Sequence, residues 1–291
     1  MKNYGIAIIG AGVVGTALAY LLKERGYPIV GIASRKRESA QKAGSLLGGG
    51  VRVTTCPEEI IPNADLIFIT TSDSAIEEVC EGIARRGGFR PGQIVLHTSG
   101  ALPSTILRKA KERGALIASM HPLQSFADVS VAIKILPSSL FCLEGDQKII
   151  PLLAKLVRRL GGQPFSIETQ HKLLYHAAAV VASNFLVTLS YLSYKFFETM
   201  GITQREASQA LLPLIKGTVQ NIEKLGPVRA LTGPIARGDA NIIKGHLEAL
   251  KGLDQKCIDI YSSISRLTVE IGMKKGTLSP EKGEEIIKIL E

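Results

Sequence analysis

With 291 residues, 45% hydrophobic and 21% charged, the chain is neither disordered nor small enough for one ordinary core, so two domains are expected. The formal net charge of +9 invites a nucleic-acid reading, but residues 1–163 hold 20 Lys+Arg against 13 Asp+Glu and 164–291 hold 15 against 13. Trp is absent and no basic run is interleaved with aromatics, so the bias points to a phosphate-rich small molecule and away from nucleic acid.

The first half alternates short β-branched runs with amphipathic stretches, the pattern of a parallel sheet covered by helices. Strands are expected at Tyr4–Ile9, Pro28–Ala33, Val51–Thr54, Leu66–Thr70, Ile94–His97, Leu116–Ser119 and Leu140–Leu143. Helices are expected between them at Val13–Arg25, Arg37–Leu47, Ala75–Arg86, Ser104–Arg113 and Gln147–Leu160. The turn "GGQP", Gly161–Pro164, then punctuates the chain. Beyond it the periodicity is helical, through Leu173–Thr199, Thr203–Leu225, Ala240–Leu250 and Asp254–Met273, and "LSPEKGEEIIKIL" closes with helix-start signals. The stretch "LLYHAAAVVASNFLVTLSYLSY", Leu173–Tyr194, is long enough to span a bilayer, yet it contains His176, Asn184 and several hydroxyls. It is expected to be largely buried in protein, at the centre of a homodimer, and no membrane association is expected. Cys56, Cys80, Cys142 and Cys257 lack short pairings, and "MKNYGIAIIGAG" runs into a strand with no signal peptide; both fit a reducing cytoplasm.

In "IAIIGAGVVGTALAYLL", Gly10, Gly12 and Gly15 have G-x-G-x-x-G spacing directly after a strand and at the opening of a helix. Gly10 makes the tight turn, Gly12 admits a pyrophosphate, and Gly15 lets helix and strand approach; Ala11, Val13 and Val14 complete the cofactor-contacting turn. This is a Rossmann dinucleotide-binding domain, assigned to residues 1–164, followed by an all-helical substrate and dimerisation domain over 165–291. After the second strand the chain places Ser34 and Arg35 where a carboxylate would take ribose hydroxyls, so the expected cofactor is NADP(H), its 2′-phosphate held by hydroxyl and guanidinium. Lys36 and Arg37 read equally well as a solvated helix start. Thr71 and Ser72 fall at the carboxyl edge of the fourth strand as cofactor neighbours, and Asp73 or Ser74 reads as a helix cap.

Two of the five histidines fall at successive strand ends, His97 in "LHTSGALPS" and His121 in "ASMHPLQSFAD". Ser99, Gly100 and His121 are candidates to meet substrate, and Ser99 also to act in catalysis. Lys172 and His176 are four apart on one helix face, with Asn184 two turns on. Reduction of a carbonyl needs a proton for its oxygen, which Lys172 or His176 would supply and Asn184 would orient. Arg237, in "LTGPIARGD", is a candidate clamp for a carboxylate, and Asp239 a helix N-cap. No metal set is apparent.

"HTSGA", "HPLQSFAD", "YHAAAVVASNFLV" and "LTGPIARGD", with the N-terminal glycine motif, resemble the bacterial Rossmann-like proteins that carry a domain of unknown function numbered 2520. That group is similar to the 6-phosphogluconate dehydrogenase-like superfamily, which joins a Rossmann domain to an all-helical domain that commonly dimerises. The resemblance implies a carbonyl-serving Lys at Lys172, with His176 standing where an Asn belongs. It also implies an NADPH-dependent oxidoreductase acting on a small carbonyl compound with a carboxylate, ketopantoate being the leading substrate. The alternatives are an imine reductase of the pyrroline-carboxylate type, a deazaflavin-dependent reductase, or a non-catalytic NADPH-sensing dimer.

Overall fold

Runs such as "IAII", "LIFI" and "IVLH" are buried on both faces, which is why they lack polar alternation. They belong to eight strands, β1 (Ile6–Ile9), β2 (Ile29–Ala33), β3 (Arg52–Thr54), β4 (Leu66–Ile69), β5 (Ile94–His97), β6 (Leu116–Pro122), β7 (Leu140–Gly145) and β8 (Gln163–Ser166). The computed structural model describes residues 4–291, and the chain divides into two compact units after Phe185. In the first unit the strand order is β3-β2-β1-β4-β5-β6-β7-β8, with the order reversing between β1 and β4. Open sheets of this kind bind ligands outside the carboxyl ends of strands at such a switch point.

Helices α1 (Val13–Glu24), α2 (Arg37–Leu47), α3 (Asp73–Arg85), α4 (Arg108–Glu112), α5 (Val129–Ile135) and α6 (Ile150–Leu160) connect the strands. Alternate strand residues feed two cores. Ile6, Ile8, Leu66, Phe68 and Met120 join Leu18, Leu22, Leu153 and Val157, whereas Ala7, Ile9, Ile67, Ile69 and Ile117 join Ile76, Ile83 and Ala110. The glycine turn and the strand ends therefore rest on a sheet packed from both sides.

Two features of the sheet depart from expectation. β7 runs antiparallel to β6, with His121 opposite Cys142, because apolar periodicity reports burial and not strand direction. β8 pairs parallel with β7 where only a turn was expected; Gly161 does turn the chain, with φ 96°, but a strand follows at once. Its Pro164 is tolerated because β8 is an edge strand. The sheet thus runs past residue 164, and helix α7 (Lys172–Ala182) also belongs to the first unit.

Helix α8 (Asn184–Thr199) follows after a break at Ser183, where one continuous helix was expected. The second unit continues with α9 (Gln204–Ala230), α10 (Pro234–Arg237), α11 (Ala240–Leu250), α12 (Gln255–Lys275) and α13 (Pro280–Ile289). Thr203 and Glu206 form a capping box at the start of α9, and Gly226, at φ 76°, kinks it where the sequence ended the helix. Ile235, Ile243, Val269, Leu278, Ile286 and Leu290 form this unit's core. Within one chain the apolar segment is exposed. Thr169–Thr199 is long and apolar enough to cross a membrane, and none of its most apolar window is buried. Leu173, Leu174, Val187 and Tyr191 are 70%, 71%, 69% and 65% exposed.

Candidate functional site

The glycine turn sits between β1 and β4. The Gly10 N–H donates to the Ala33 carbonyl (2.8 Å) at φ 116°, a conformation that disfavours any side chain, and a Cβ there would press on the Thr70 carbonyl and the Thr71 nitrogen. A Cβ at Gly15 would collide with the Gly10 carbonyl and Thr70 Oγ1, so this glycine sets how closely α1 meets the sheet. Gly12 is different: it is exposed at the N-cap of α1, and a Cβ there would meet nothing within 4 Å. The protein does not itself require its smallness, whereas a pyrophosphate lying on the helix N-terminus would. Beside it, Thr71 Oγ1 is buried without a hydrogen-bond partner among the described residues, as a ligand-facing hydroxyl would be. These residues fit a dinucleotide. Ala11, Val13 and Val14 line the same turn and are half-buried; Ser34 is half-buried and Arg35 exposed just past β2, and Ser72 is exposed with its Oγ 3.4 Å from that of Ser74.

The loop after β5 is fixed from within. The Ser99 N–H donates to His97 Nδ1 (3.1 Å), which leaves the imidazole hydrogen on Nε2, 3.3 Å from the Pro103 carbonyl. Burial, helped by Lys172, lowers the His97 pKa to about 4, so the ring is neutral. The Ser99 hydroxyl donates to Asp73 Oδ2 (2.7 Å) and accepts from the N–H groups of Ala101 (3.2 Å) and Leu102 (3.0 Å). Its one donor and two lone pairs are filled, so Ser99 shapes the loop and has no hydroxyl proton left for substrate. Asp73 is likewise no cap: Ser72 occupies the N-cap of α3 without a side-chain bond, and the Asp73 carboxylate ties α3 to the β5 loop.

Gly100, presented by that loop, is where the sequence candidates converge. A Cβ on it would lie 2.8 Å from both Cε1 and Nε2 of His121 and 2.8 Å from Cδ2 of His176. His121, near the end of β6, bonds through Nδ1 to the Tyr175 hydroxyl (2.7 Å), and the two rings meet edge-on at 5.7 Å. Burial, then Lys172, His176 and His97, lowers the His121 pKa to about 3. Tyr175 is pushed up by burial and by Cys142, so it keeps its proton. Lys172 is 1% exposed and donates to Ser119 Oγ (2.6 Å) on β6; burial lowers its pKa. The surface-lysine alternative is thereby excluded.

The start of α7 is held by Glu144 on β7, itself 1% exposed. Its Oε1 accepts from Ser104 Oγ (2.7 Å) and Thr169 Oγ1 (2.8 Å), and its Oε2 from the Ser104 N–H (2.7 Å). Tyr175, Ser119, Glu144 and Cys142 were not singled out from the sequence, although a lone acid in "LFCLEG" and a tyrosine one turn after Lys172 were available signals. Asn184 opens α8 beyond the break at Ser183, so the regular register that would align it with His176 is interrupted. Arg237 lies in the second unit, exposed and paired with Asp239 Oδ2 (2.9 Å); Asp239 holds the N-cap position of α11 without a side-chain cap bond. Among the described residues no cluster could hold a metal ion.

The Rossmann-like domain family matches residues 2–122, and the domain of unknown function DUF2520 matches residues 139–268. Protein TM1727 from Thermotoga maritima is 28% identical with a TM-score of 0.73, covering 93% of this chain and 99% of that one. BF3122 from Bacteroides fragilis, provisionally assigned as an NADP oxidoreductase, is 26% identical with a TM-score of 0.74, covering 92% and 98%. A reductive aminase from Aspergillus terreus, solved with NADPH and ethyl levulinate, shares the fold at 16% identity and a TM-score of 0.66, covering 98% and 99%. No curated protein matches by sequence. The chain therefore joins a Rossmann-like domain to a DUF2520 domain.

Proposed function

We propose that the chain is an NADPH-dependent reductase of a small carbonyl compound bearing a carboxylate, with ketopantoate the leading substrate. The observation that carries this reading is a dinucleotide cradle whose Gly12 faces open space and whose Thr71 hydroxyl lacks a partner, on the same sheet edge as a cluster of proton-bearing side chains. The cofactor, when bound, supplies hydride. Ser34 and Arg35 hold the 2′-phosphate, Gly10 and Gly15 shape the turn on which Gly12 admits the pyrophosphate, and His121, His176 and Gly100 face the substrate. The relative assigned as an NADP oxidoreductase agrees with this cofactor. A second reading, imine reduction, keeps every role and is favoured by fold neighbours named imine reductases and a reductive aminase.

The test is oxidation of NADPH by the purified protein with ketopantoate, other 2-keto acids and 1-pyrroline carboxylates, with NADH in parallel. Turnover preferring NADPH is expected. Binding of NADPH without turnover on any panel member would overturn the enzyme reading and leave a nicotinamide sensor; no binding would overturn the cofactor. The chain acts as a homodimer, with the exposed apolar side chains of α7 and α8 covered by a second copy. Val187→Glu is expected to give a monomer by light scattering, and an intact dimer would contradict this.

A further inference from the structure

We propose that the group meeting the reacting oxygen or nitrogen is the neutral imidazole of His121, through Nε2–H, with Tyr175 as the residue that positions and recharges it. This deepens the proposed function and rests on it. Lys172 is the residue to which the family resemblance points. It is 1% exposed and already donates to Ser119 Oγ at 2.6 Å, so it would have to leave its site to reach a substrate.

One turn along α7, Tyr175 stands 2.7 Å from His121 Nδ1, its ring further braced by Phe165 at 5.8 Å. A phenol is the stronger donor of the two and an imidazole nitrogen the stronger acceptor, so the hydroxyl donates to Nδ1. The imidazole hydrogen then sits on Nε2. That nitrogen lies at the corner formed by Gly100 and His176, on a half-buried ring, and Gly100 leaves room for both imidazoles because it has no side chain.

The surroundings of His121 all oppose an imidazolium: burial first, then Lys172, His176 and His97. A neutral imidazole N–H polarises a carbonyl without first having to gain a proton. In the step, the substrate carbon gains a C–H bond from the reduced nicotinamide and the C=O π pair moves to oxygen. The oxygen takes the Nε2 proton, the Tyr175 O–H proton passes to Nδ1, and the ring stays neutral with its tautomer exchanged. Solvent returns a proton to the Tyr175 oxygen in the same relay, so that no phenolate, which burial disfavours, is left behind; Lys172 Nζ stands 5.7 Å from the Tyr175 ring centroid. An imine nitrogen would take the same proton.

The test has two arms. In 15N-histidine-labelled protein, two-bond 1H–15N correlations read the tautomer of each histidine, with His121→Gln identifying the signal. The expected result is a neutral His121 at pH 6 with hydrogen on Nε2, and a mixture of tautomers in Tyr175→Phe. Hydrogen on Nδ1 in the native protein, or an unchanged tautomer in the variant, would overturn the proposal. This arm needs no turnover, so a failed reductase reading registers separately, as a native protein silent on the whole panel. Where the native protein turns over, Tyr175→Phe should lower kcat by about 10²-fold with KM little changed, and by more than Lys172→Met does. A Tyr175→Phe protein with native kcat would overturn it as well.

Discussion

Two stretches of one sheet edge were built in opposite ways. The cradle around β1, β2 and β4 is written in nearly contiguous residues, Gly10 to Gly15, whose spacing alone fixes turn, helix start and approach distance. The corner around β5, β6 and α7 is assembled from residues far apart in sequence: Asp73 with Ser99, His121 with Tyr175, Ser119 with Lys172. The first is a backbone device in which Gly10 and Gly15 tolerate no added atoms; the second is a network of side chains that pair across distant positions. A change in the cradle should act on the fold or the cofactor, and a change in the corner on chemistry.

The largest effect separates two glycines of the cradle. Gly15→Val forces a side chain into the Gly10 carbonyl and Thr70 Oγ1, so thermal melting should show a loss on the order of 3 kcal/mol together with loss of NADPH binding. Gly12→Ala meets no protein atom, so melting should be unchanged while NADPH binding, by fluorescence titration, weakens by about tenfold or more. Equal destabilisation by both would break the distinction.

In the corner, Gly100→Ala should displace both His121 and His176, lowering kcat by about 10²-fold while the NADPH dissociation constant stays native. Weakened NADPH binding in that variant would mean that the two regions are not separate. Between these, replacing Ser34 with Asp and Arg35 with Ala should weaken NADPH about 10-fold to 10²-fold relative to NADH, the loss of a charge-assisted clamp. Parallel weakening of both would remove the 2′-phosphate role.

A further effect is on stability in acid. His97 and His121 are held near pKa 4 and 3, below the unfolded value of about 6.5, so the unfolded chain binds more protons between those limits. Their contribution is complete above about pH 6.5 and is lost as pH falls towards 4 and 3, on the order of 1 kcal/mol per pH unit per ring. Denaturant melts from pH 7 to 4 should show this slope, and His97→Gln should reduce it.

The contrast also explains what the sequence disclosed. Short-range spacing gave the strands, the glycine turn and the helical second half, and it brought His121, His176 and Gly100 forward as candidates that the structure places together. It did not give partners. Ser99 was legible as a hydroxyl at a strand end, but its engagement by Asp73 depends on a pairing across 26 positions. Lys172 was legible as a helix residue four before His176, but its burial depends on Ser119, 53 positions earlier. The antiparallel turn of β7 was hidden for the same reason, because burial patterns carry no strand direction.

The most direct measurement follows the label. With NADPH deuterated at C4 and a panel of ketopantoate, other 2-keto acids and cyclic imines, mass spectrometry of the product should show one deuterium at the former carbonyl or imine carbon. Its retention on NADPH with every substrate, in a protein that binds the cofactor, would contradict a reductase and leave a binding protein in its place.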